Sequence, residues 1–192
     1  MKKIIALVLA LSIALLCTAC GGSNSASTTT AATTTTAATT TTPAAPEYTA
    51  EEIAAAIREA YGENYLSNSP IPEELLTDMF GLDLNDCEEI VAEMPMIGFH
   101  PDRVIVIKAK AGAADKIEEA LNAARETLVN DAMQYPANLA KIDSTQVLRN
   151  GDYVVFLLAG APDDVSENET DAAKFAQEQA QIGVDAFNAL FA

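Results

Sequence analysis

Residues 47–192 predict one α+β domain: a mostly antiparallel four-stranded sheet of two hairpins linked by a helix, packed with helices and preceded by an N-terminal helical segment. Three observations predict it. Ile117, Ala120, Leu121, Ala124 and Leu128 recur at a clean helical repeat across 113–133. Asn150-Gly151 stands between two strand-like runs, the strongest short hairpin signal. Arg103 to Lys110 (RVIVIKAK) is rich in β-branched residues and follows a His-Pro-Asp turn.

Taken in order, the elements begin at Thr49. Thr49 and Glu52 have capping-box spacing, and Ile53, Ala56, Ile57 and Ala60 form an apolar stripe that Gly62 should end. After Pro70-Ile71-Pro72 a second helix is predicted over 73–80, stopping at Gly81. A third starts near Asn85, with Leu84, Cys87, Val91 and Met94 as its apolar face, and ends at Pro95. Met96 to Phe99 then pairs with Arg103 to Lys110 as the first hairpin. The central helix follows Gly112 and stops at Tyr135-Pro136. Residues 141–148 and 153–159 form the second hairpin, and an acidic loop over 162–171 leads to a last helix through Phe175, Ile182, Phe187 and Leu190. Ile105-Val106-Ile107 and Tyr153 to Leu158 are apolar on both strand faces. The sheet is therefore either sandwiched or left with one face for a partner, and the sandwich is expected, with 50–94 as the second layer.

Ahead of the domain, residues 1–19 read as a lipoprotein signal peptide, and 20–46 as a lipidated Cys20 followed by a disordered Thr/Ala-rich tether. Lys2 and Lys3 form a positive start, and Ile4 to Leu16 is an apolar run of 13 residues, short of the ~20 needed to span a bilayer. Cys17-Thr18-Ala19-Cys20-Gly21-Gly22 resembles a lipobox, although Cys17 stands where Leu is usual. An ordinary secretory signal cut nearby is the alternative. Residues 23–46 have no charge, aromatic ring or large aliphatic side chain with which to offset the entropy of ordering.

Eleven Lys and Arg face 28 Asp and Glu, a net charge of -17. Without Lys2 and Lys3 the balance is 9 − 28 = -19. Such a surface repels phosphate backbones and anionic headgroups, which argues against nucleic acid as a partner and leaves a lipid to make the membrane attachment. Cys87 is the lone thiol of the domain, which excludes an internal disulfide framework there. On the apolar stripe of its predicted helix it reads as an inert core residue.

Catalytic chemistry is thin. His100, the single histidine, falls in a predicted turn, and no nucleophile elbow, zinc-protease, redox or phosphate-loop pattern occurs. No catalytic residue, cofactor or metal is therefore assigned. Asp83-Leu84-Asn85-Asp86 lacks the glycine and terminal Glu of a calcium loop. Asp163, Asp164, Glu167, Glu169 and Asp171 read as a solvated loop whose last acids favour the next helix N-terminus. Arg125, beside the central stripe, should meet a carboxylate or a row of carbonyls.

Asp83 through Pro95, the RVIVIKAK strand, the helix carrying Arg125, Gln134-Tyr135-Pro136 and Asn150 to Val155 together resemble the domain of unknown function 4358 family, lipoproteins found mainly in Clostridia and related Gram-positive bacteria. The likeness spans most of 48–190 and lies in order and spacing. It implies a cell-envelope lipoprotein and supplies no activity or site residues. The expectation is a lipoprotein anchored through Cys20 on the extracytoplasmic face of the cell membrane, whose domain is a non-enzymatic binding or interaction module for an envelope protein or a small ligand. The alternatives are a small solute-capturing lipoprotein serving a transporter, and a carboxylate-based envelope hydrolase.

Overall fold

The computed structural model describes residues 47–131 and 133–192. The signal peptide, Cys20 and the tether lie outside the described residues.

The first helix, α1 (Ala50–Tyr61), starts as its residues dictate. The Thr49 side chain accepts from the Glu52 backbone N–H, the Glu52 carboxylate accepts from the Thr49 N–H, and Gly62 closes the helix at φ 54°. Ala50, Ile53, Ala54, Ile57 and Tyr61 form its buried stripe, whereas Ala60 is exposed. A two-residue strand β1 (Ser69–Pro70) and α2 (Glu73–Phe80) follow. Gly81, in the left-handed region at φ 64°, ends α2 as expected.

The predicted third helix is a strand. Residues Cys87–Met94 form β2, antiparallel to β3 (Arg103–Ala109), with a register shift between Cys87 and Glu89. Tertiary partners override the helical spacing of Leu84, Cys87, Val91 and Met94. Glu89 accepts from the Ala50 N–H at 2.8 Å, and Glu93 takes two bonds from Arg58 and one from the Tyr65 hydroxyl, so Glu89 and Glu93 tie the strand to α1 and the segment after it. Met96 to Phe99, expected as a strand, is instead the exposed turn between β2 and β3.

The central helix α3 (Ala114–Val129) buries Ile117 and Leu121. Residues expected to begin a strand at Lys141 form the single turn α4 (Leu139–Asp143), and β4 covers only Gln146–Asn150. It pairs with β5 (Tyr153–Leu158) through the Asn150-Gly151 hairpin, and α5 (Glu169–Ala189) closes the domain.

The sheet therefore has five strands, not four, in the order β1-β2-β3-β5-β4 and antiparallel throughout, in an α+β domain. Both its faces are covered. Ile105, Ile107, Val154, Phe156 and Leu158 pack under α2, α3 and Ile142 of α4, while Val104, Val106, Val155 and Leu157 pack under α1 and α5. The sandwich is as expected, but its layers are not: α1 and α2 lie on opposite faces, and α5 completes the second layer.

Candidate functional site

The strand directions collect three loops at one end of the sheet. Met94 ends β2 there, Arg103 begins β3 opposite Leu158 at the end of β5, and Gln146 of β4 sits opposite Leu157. The loop segments 95–102, 130–145 (residue 132 aside, and with the short α4 inside it) and 159–168 all emerge at this end. Tyr48 lies at the other end, where its backbone N–H donates to the hydroxyl of Tyr153, the first residue of β5.

A buried ion pair ties the loops together. Asp102 has no exposed surface, and the Lys141 ammonium reaches both its oxygens while also donating to the Gly160 carbonyl at 2.7 Å. Burial pushes the Asp102 carboxyl above the usual carboxylate range, and the charge of Lys141 pulls against that rise. Asn138 donates its side-chain amide to the Phe99 carbonyl, and the Ala161 N–H donates to Gln179 of α5. Gly160, at φ 127°, lies so close to Gln179 that an added Cβ would stand 2.7 Å from its Cβ.

Between these loops and α5 opens a cleft of about 510 Å³, walled by Phe99, His100, Tyr135, Phe175 and Ala176 with Asp163 at its rim. The rings of Phe99 and His100 lie 4.1 Å apart. Lys141, Asn138 and Gln179 also border the cleft, but each has its hydrogen bonds inside the protein. Recognition in this cleft therefore falls to its aromatic and apolar surface together with the His100 ring and the Tyr135 hydroxyl. Further apolar side chains of these segments are exposed. Met96, Ile97, Phe99, Met133, Tyr135, Leu139 and Val165 are exposed large hydrophobics of the same three loops. A second, smaller hollow of about 270 Å³ lies between α2 and α3, with Arg103 on its wall.

His100 sits in the turn after β2, as its sequence context indicates. Cys87 is buried, but at the start of β2 rather than on a helix, and burial pushes its thiol up to about 11. Asp83 caps a single 3₁₀ turn by accepting from the Asn85 N–H, and Asp86 faces Lys116. In the acidic loop, Asp163 accepts from the Val165 and Ser166 N–H groups, while Asn168 caps α5. Arg125 meets carbonyls, those of Thr145 at 2.6 Å and Asp143 at 3.5 Å. Among the described residues no group of three or more His, Cys, Asp or Glu side chains converges as a metal site. Asp102, Lys141, Arg103 and the apolar loops are the features the residue patterns did not single out.

A family model described as "Domain of unknown function (DUF4358)" matches residues 60–159, from the end of α1 through β5. No curated protein and no solved structure matches the chain.

Proposed function

The chain belongs to the DUF4358 family, and from that premise we propose that it is a binding module without catalytic activity, lipid-anchored through Cys20 at the extracytoplasmic face of the cell membrane, which holds an envelope protein against the loop end of its sheet. One observation carries this reading. Of the eight exposed large hydrophobic side chains among the described residues, seven belong to the three loops at that end. An apolar patch that a folded domain leaves in water is characteristic of a docking surface. The faces of the sheet are covered on both sides, so they offer no competing surface.

Affinity capture from detergent-solubilised envelopes tests the proposal. The lipidated chain should retain a specific partner that the Phe99→Asp/Tyr135→Asp double variant loses at unchanged melting temperature, while a Cys20→Ala chain should lose membrane attachment. A partner retained equally by the double variant would overturn the assignment of the surface.

The cleft favours a second reading, solute capture for a transporter. Its 510 Å³ lies within the ~300–1,000 Å³ of small-molecule sites. Stabilisation by a metabolite in a thermal-shift screen, abolished by Ala176→Phe, would favour that reading.

A further inference from the structure

We propose that the hollow between α2 and α3 binds a small apolar molecule ending in a carboxylate, with the Arg103 guanidinium as its counter-ion. This hollow adjoins the loop end through Asp131 and Gln134 but shares no lining residue with the cleft, and its test is independent of the docking surface.

Arg103 opens β3 on the same sheet face as Ile105 and Ile107, which directs it beneath α2 and α3. There it shares a hollow of about 270 Å³ with Met79, Phe80, Leu128 and Phe156. Thr127, Asp131 and Gln134 also line it, and the apolar walls beside a single cation suit an amphiphilic anion.

Among the described residues Arg103 forms no salt bridge; the charge of its neighbour Asp102 favours its charged form, but that carboxylate is held by Lys141. Arg58, Lys108, Lys116, Lys141, Arg149 and Lys174 each have an acidic partner. Arg125 reaches two carbonyls, and Lys110 is exposed and donates to the Asn85 carbonyl. Arg103 has five N–H donors, and its one hydrogen bond goes to the Pro101 carbonyl at 2.7 Å. Burial disfavours its charged form, a penalty that an anion in the hollow would offset.

The chemistry of the occupant follows from the fork. A guanidinium meets a carboxylate with two parallel bonds, and a single arginine matches a single negative charge. Asp131 borders the same hollow, but its oxygens accept from the Met133 N–H and the Gln134 side-chain amide. It is therefore occupied locally, and its charge weakens anion binding rather than replacing the anion.

The test is calorimetric titration of the full chain in lipid nanodiscs, with empty nanodiscs subtracted. The probes are 3-phenylpropionate, 3-phenylpropanol and 3-phenylpropylamine. The carboxylate should bind at least tenfold more tightly than the alcohol, and the amine least. Arg103→Gln should level acid and alcohol, Arg103→Lys should keep part of the preference, and Asp131→Asn should leave it equal or larger. Should Arg103→Gln fail to fold, Thr127→Trp at the exposed rim of the hollow provides the second reading, with loss of carboxylate binding expected. Equal affinities for acid and alcohol, no binding of either, or an unchanged preference in Arg103→Gln or Thr127→Trp would overturn the proposal.

Discussion

The Lys141 ammonium stands 2.7 and 2.8 Å from the two carboxylate oxygens of Asp102, a side chain buried completely from solvent. The two residues are 39 apart in sequence, and the pair joins the turn after β2 to α4. A buried pair adds little over an apolar pair of equal shape, but breaking it leaves a charge stranded. Lys141→Met should therefore destabilise the domain by about 3–5 kcal/mol in urea denaturation. Asp102→Asn in the same chain should recover part of the loss. The loss should also depend on pH. Burial raises Asp102 above its unfolded value, and removing the lysine raises it further. The native state then holds the proton more tightly than the unfolded chain. The penalty should be small at acid pH and grow as pH rises through the interval between the two values. A penalty independent of pH would contradict this account.

Gly183 of α5 sits where an added Cβ would come 2.7 Å from a Leu157 methyl and 2.8 Å from the Tyr61 hydroxyl oxygen. Alanine gains about 1 kcal/mol of helix propensity over glycine at an open site. Here Leu157 is fully buried, and the Tyr61 hydroxyl is held by its bond to the Gln179 carbonyl. Overpacking of about 1–3 kcal/mol should win. Gly183→Ala should therefore lower the melting temperature, and a rise would refute the close packing of α1, α5 and β5.

The Cys87 thiol, pushed up to about 11 by burial and the nearby Asp86 and Asp83 charges, should be a poor nucleophile. Thiol-directed reagents should label it slowly at pH 8 in the native chain and rapidly in denaturant. Fast native labelling would show that the start of β2 opens readily.

Thr49→Ala removes the cap of α1 and should cost about 1 kcal/mol. Its partner Glu52 is held below the ordinary carboxylate range by hydrogen bonds from the Thr49 backbone and hydroxyl. Its contribution is present above the unfolded value and is lost as pH falls through the folded one. Glu52→Gln should flatten the acid limb of the stability profile, and the Glu52 titration followed by NMR gives the direct check.

Where local chemistry decides the structure, the residues announce it. Thr49 and Glu52 cap α1, Gly81 stops α2, and Asn150-Gly151 turns the second hairpin because each needs only its neighbours. β2 was illegible for the opposite reason. Leu84, Cys87, Val91 and Met94 keep helical spacing, and the partners that make the segment a strand are β3, paired 11 to 22 residues away, and Arg58, 35 residues from Glu93. The candidate site suffered from the same blindness. Met96, Ile97 and Phe99 look like strand residues because hydropathy does not distinguish an apolar side chain that is buried from one left in water. Their neighbours Pro95 and Gly98 were the available signal of a turn. Nothing near Asp102 or Lys141 in sequence announces their pairing.

The Tyr48 hydroxyl donates to the Leu190 carbonyl at 2.7 Å, so the outermost segments of the fold touch. A short peptide joining them would turn the domain into a ring without displacing a strand. The ring could then be reopened in the turn after α3, moving the chain ends to the apolar loops while leaving every layer intact. On the proposed Cys20 anchor such a permutant would present the opposite end of the sheet, separating the effect of orientation from that of composition.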